Sequence, residues 1–138
     1  MQMDDPVSTF FDLPPSACMH SGMQPENSPR TPDSLMVSLA RECLAEALGT
    51  AFIVYFGCGS VTAGADLMPV SFTFGMTVYM MVESLGDISG AHFNPAVTLT
   101  LFVAAGLPYY KVPCYWAAQF AGAFAGGALL FAGSPVDE

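Results

Sequence analysis

Apolar residues gather into long blocks along this chain instead of alternating. Three blocks stand out: "LARECLAEALGTAFIVYFGCGSV" over residues 39–61, "MPVSFTFGMTVYMMVESL" over 68–85 and "VPCYWAAQFAGAFAGGALLFA" over 112–132. Each approaches the ~20 residues needed to cross a ~30 Å hydrocarbon core. Acids interrupt two of them, so periodicity alone leaves a buried soluble bundle open beside a membrane reading. Residues 1–34 have a different texture, with Pro6, Pro14, Pro15, Pro25, Pro29 and Pro32 among scattered Ser and acids. They contain no apolar run of signal-peptide type. The pattern predicts a disordered, acidic, Pro-rich tail over 1–34 and a helical body over 35–138.

Between the second and third blocks stands "GAHFNPAVTLTL", residues 90–101. Its start is a small-residue turn with one His and an Asn-Pro pair. Asn caps helices well, because its side-chain oxygen accepts from an orphan helical N–H. Pro is favoured at the first helical position, where its missing N–H costs nothing. A helix is predicted from Pro95 to about Val103, ahead of Gly106-Leu107-Pro108. Its nine or so residues span ~14 Å, about half a bilayer. An apolar helix of that length between two full spans predicts a re-entrant segment, which lipid tolerates only when protein or a water-filled cavity covers its backbone. The helix N-terminus would then lie near the midplane, with the positive end of its dipole there.

Charge sharpens this picture. Only Arg30, Arg41 and Lys111 are basic, and the net charge is −9. Nucleic acid is excluded as a partner, since phosphate binding needs clustered cations. With Arg30 and Arg41 cytoplasmic, the first span exits, the second returns and the third exits. Lys111 then falls on the cytoplasmic side too, in line with the positive-inside rule. Cys18, Cys43, Cys58 and Cys114 form no Cys-x-x-Cys pair and read as free thiols. No zinc-ligand spacing and no nucleophile–base pair is present, so no metal, no cofactor and no enzyme is expected. Gly122-x-x-x-Gly126 and Ala121-x-x-x-Ala125 in the third block, with Gly49, Gly57 and Gly59 in the first, would allow close helix contact in lipid.

Asn94-Pro95-Ala96 within "ISGAHFNPAVT" resembles the first signature loop of the aquaporin (major intrinsic protein) family. "AEALGTAFIVYFGCGS", residues 45–60, resembles that family's first helix, with Glu46 and Gly49-Thr50 in place. Gln119 in "AAQFAGA" matches the Gln of its third helix. The resemblance covers about residues 35–132. Asp87 departs from it, at a position often held by a neutral residue. The family joins two inverted halves, each with three spans and one Asn-Pro-Ala loop, and the resemblance covers the first half. It therefore implies an all-α membrane protein: three transmembrane helices plus one re-entrant half-helix over 95–103, half of an aquaporin-like inverted-repeat fold.

The implied activity is passive passage of water and small neutral solutes such as glycerol, incomplete with one half. A non-conducting truncated subunit that associates with full-length relatives is the alternative. The implied partners are the lipid bilayer, the solute and, for a full-length channel, three further copies in a homo-tetramer. Asn94 would cap the helix with its oxygen and offer its NH₂ to the pore. Gly90 and Ala91 would line the pore with backbone carbonyls, and His92 would neighbour that path. Phe74, twenty positions before Asn94, falls on the family's selectivity constriction. Glu46 would accept hydrogen bonds from a re-entrant loop's backbone. If that loop belongs to the other half, Glu46 needs protonation or water in its place.

Overall fold

The structure is a computed structural model, and it describes residues 32–134. The tail expected over residues 1–34 lies largely outside that range; residues 32–34 form the first turn of a helix. Four helices follow one another: α1 (Pro32–Thr62), α2 (Leu67–Ser89), α3 (Pro95–Ala105) and α4 (Lys111–Gly133). No strand occurs among the described residues.

Local chemistry explains the boundaries. Pro32 opens α1 with Asp33 in the first turn, where a carboxylate complements the helix dipole. Gly90 and Gly106 close α2 and α3 in the left-handed conformation, at φ 88° and 71°. Asn94 opens α3 in extended geometry, its Oδ1 accepting from the Ala96 N–H at 2.8 Å. The helices start earlier or end later than the apolar blocks, because capping residues and not apolarity stop them.

Contacts fix the directions. Ascending positions of α1 meet ascending positions of α4: Glu46 with Gln119, then Gly122 at Ala47 and Gly126 at Ala51. These two helices are parallel. α2 is antiparallel to α1, with Phe74 at Gly57 and Ser89 at Glu46. α1 packs most extensively on α4, then on α2, while α3 leans on α4.

Close approach of α1 and α4 depends on missing Cβ atoms. A Cβ on Gly122 would stand 2.1 Å from the Ala47 carbonyl oxygen, and one on Gly126 would stand 2.4 Å from that of Ala51. Of the two small-residue pairs in this helix, the glycines face α1, whereas Ala121 and Ala125 are exposed. In α1, Gly49 receives the Phe93 ring and Gly57 the Phe74 ring.

Polarity is inverted relative to a water-soluble domain. The buried set includes Glu46, Thr50, Thr77, Ser89, His92, Thr98 and Gln119, whereas Leu44, Leu48, Phe52 and Phe56 are exposed on α1 and Phe120, Phe124 and Phe131 on α4. A soluble bundle, left open by periodicity, would present the reverse. By length and apolarity α1 and α4 can each cross a membrane. α2 matches α4 in length and is less apolar.

Candidate functional site

Glu46 is the centre of the polar interior. It sits on the α1 face that meets both α2 and α4, and none of its surface is exposed. Its Oε1 accepts from Ser89 Oγ at 2.6 Å and from the His92 N–H at 3.0 Å. Its Oε2 accepts from the Phe93 N–H at 2.7 Å and from Gln119 Nε2 at 2.8 Å. Four donors meet the roughly four lone-pair sites of a carboxylate. The sequence left open whether the loop that bonds Glu46 belongs to this half of the family's fold or to the other. The loop it holds is the chain's own 89–93 segment, so neither an added proton nor water is needed to satisfy it.

That loop is strained, and Glu46 is what holds it. Ala91 and Phe93 have φ of 53° and 48°, in the left-handed region that side chains disfavour. Each such residue costs of order 1 kcal/mol or more and persists only where its surroundings fix it. The conformation turns the adjacent N–H groups of His92 and Phe93 onto one carboxylate. The Phe93 ring then anchors the loop at Gly49.

The start of α3 is held from α4. Trp116 Nε1 donates to the Pro95 carbonyl at 3.1 Å, and Gln119 Nε2 also donates to Thr98 Oγ1 at 3.0 Å. Thr98, fully buried, stands 3.1 Å from His92 Nδ1. The His92 ring stacks obliquely on Tyr115, with centroids 5.0 Å apart. Near the Lys111 end, Tyr115 and Lys111 both reach Glu42 Oε2, at 3.0 and 2.7 Å.

The structure thus brings Glu46, Gln119, His92 and the 90–93 loop together. Asn94 is exposed beside them, and its Nδ2 group makes no hydrogen bond among the described residues. Gly90 is exposed and Ala91 half-buried. His92 departs from the other residues expected along a pore, because its side chain is buried and packed inward. Phe74 lies apart from this cluster, half-buried with its ring edge on Gly57. Ser89, Phe93, Thr98, Tyr115 and Trp116 escaped the sequence reading. Gly49 reads from sequence as a place for close helix contact, and nothing local names the Phe93 ring that fills it.

Gln119 lies eight positions beyond Lys111, ~12 Å along α4. The α3 start itself is held by Trp116, five positions beyond Lys111 and ~8 Å along α4. A cap donor, a helix N-terminus and small residues converge there on one open side. Such a place can hold a neutral hydrogen-bonding molecule and disfavours a cation. Among the described residues, no group of three or more His, Cys, Asp or Glu side chains could hold a metal ion.

Residues 34–136 match the family model described as major intrinsic protein. Aquaporin NIP1-3 of Oryza sativa subsp. japonica is 44% identical over 108 residues, covering 72% of this chain and 38% of that protein. The glycerol uptake facilitator protein of Pseudomonas aeruginosa is 44% identical over 100 residues, covering 68% and 36%. Aquaporin-2 of Equus caballus is 39% identical over 105 residues, covering 73% and 96%. Against the first two, the chain spans well under half of the relative's length.

Proposed function

The chain belongs to the major intrinsic protein family, and on that premise we propose that it forms one half of a passive membrane channel for water and small neutral solutes such as glycerol. It is an integral membrane protein. The observation that carries the channel reading is Asn94: an exposed cap donor at the start of a short apolar helix whose first residue, Pro95, is held to α4 by Trp116. In this reading α1, α2 and α4 are three spans and α3 is a re-entrant half-helix. The parallel course of α1 and α4, with α2 antiparallel, supports that order. Lys111 and the start of α1 then share the cytoplasmic side. The complete channel assembles as a homo-tetramer.

Passage in this scheme needs no covalent chemistry. Asn94 Nδ2 donates to a passing solute oxygen, and the Gly90 and Ala91 carbonyls accept from it. Glu46, Gln119 and the buried His92 hold that wall in place. The α3 dipole opposes cations. The second wall, with its own half-helix, comes from the family's other half.

Two liposome measurements by stopped-flow light scattering test this. Residues 1–138 alone should pass little more water than empty liposomes. The same residues joined to a relative's second half should give a high permeability with a low activation energy, lost on Asn94→Asp. Permeability of the joined protein no greater than that of empty liposomes would refute the channel reading.

Phe74 is proposed as the constriction residue on α2. In the joined protein, Phe74→Ala should raise glycerol flux relative to water severalfold, because pore diameter controls access. An unchanged ratio in a correctly inserted variant places Phe74 outside the filter and leaves its ring as packing for Gly57.

A further inference from the structure

Tyr115 raises a question of proton counting. Its hydroxyl carries one proton. Two acceptors lie within reach, the Ser89 carbonyl at 2.8 Å and Glu42 Oε2 at 3.0 Å. One proton serves one of them well at a time. The Ser89 carbonyl belongs to the last residue of α2, where no intrahelical donor is available. Ser89 is also the residue from which the strained 90–93 loop departs. Its hydroxyl is already committed to Glu46, and it accepts from the Ala91 N–H at 3.1 Å.

Glu42 has other donors. Lys111 Nζ lies 2.7 Å from the same Oε2 that faces Tyr115, and Ser38 Oγ lies 3.3 Å from Oε1. We propose that Lys111 is a positioning residue: by occupying Glu42 it leaves the Tyr115 proton on the Ser89 carbonyl, which fixes the root of the 90–93 loop. Without Lys111, the bare carboxylate competes for that proton. The carbonyl then loses its donor, and the loop loses the hold at its root. The consequence for conduction rests on the channel reading; the loop effect itself does not.

Hydrogen exchange followed by mass spectrometry on residues 1–138 in lipid nanodiscs tests this, using the 90–94 amides as readout. Lys111→Met should speed their exchange roughly tenfold, the scale of one hydrogen bond to a buried group. Lys111→Arg should stay near wild type. Glu42→Gln should also stay near wild type, because a neutral amide oxygen that still accepts from Lys111 competes for the Tyr115 proton less than a carboxylate does. Adding Glu42→Gln to Lys111→Met should restore slow exchange. Tyr115→Phe should match Lys111→Met, and combining the two should add nothing. Unchanged exchange in Lys111→Met overturns the proposal. So does fast exchange in Glu42→Gln, or a further increase when Lys111→Met is added to Tyr115→Phe. Because no flux is measured, a failed channel reading leaves this outcome intact, and the reverse holds too.

Discussion

Glu46→Ala is expected to free the 90–93 loop and destabilise the bundle by on the order of 3 kcal/mol. The substitution strands four donors at once: Ser89 Oγ, the His92 and Phe93 N–H groups, and Gln119 Nε2. Hydrogen bonds inside membranes average only ~0.6 kcal/mol, because side chains find other partners. The His92 and Phe93 N–H groups lie outside any helix and have no such alternative, which places this site above the average. The strain at Ala91 and Phe93 then has nothing to oppose it. Glu46→Gln should be nearly as damaging. Its NH₂ would replace one carboxylate oxygen and point a donor at two donors. Thermal unfolding in detergent, with loop exchange measured in parallel, decides this. An Ala variant with wild-type unfolding and a protected loop would show that the carboxylate is dispensable.

Gly122→Ala should cost about 3 kcal/mol, the upper range for overpacking. The added methyl would meet a backbone carbonyl, that of Ala47, at 2.1 Å. A flexible side chain could swing away, but a helix backbone must shift bodily. Moving α4 outward also lengthens the Glu46–Gln119 bond three positions earlier on α4. Gly127→Ala supplies the control, because a Cβ there meets nothing within 4 Å. It should be neutral or stabilising by up to ~1 kcal/mol, from helix propensity. Expression yield and unfolding temperature of the two variants measure the contrast. Equal behaviour would remove the glycine contact as the determinant of α1–α4 spacing.

What could be read from the chain followed from how local its cause is. The α3 start was legible because Asn94-Pro95 carries its own cap within three residues. Asn94 Oδ1 bonds Ala96 N as that chemistry requires. The polar interior was only half legible. Glu46 and Gln119 announced themselves as polar residues inside apolar blocks, but their meeting spans 73 positions. Which loop satisfies Glu46 stayed open for the same reason: 43 to 47 positions separate it from the five-residue 89–93 segment. Thr98 and Ser89 looked like ordinary helix residues, since hydroxyls are common on both faces. Small-residue spacing offered two stripes on α4, of glycines and of alanines. Only the shape of α1 selects the glycines.

The arrangement around Glu46 also sets an order in time. During synthesis α1 emerges first, carrying a carboxylate whose donors do not yet exist. Placing an acid at the centre of an inserted helix costs about 3 kcal/mol. The last donor, Gln119, follows 73 residues later. At ~5–20 residues per second that is a delay of roughly 4–15 s. Until then α1 is a span that its own sequence only marginally favours. α2 and the 89–93 loop relieve part of the cost on arrival, and α4 completes it. A ribosome halted between residues 62 and 89 would therefore leave the Glu46 carboxylate with none of its four donors.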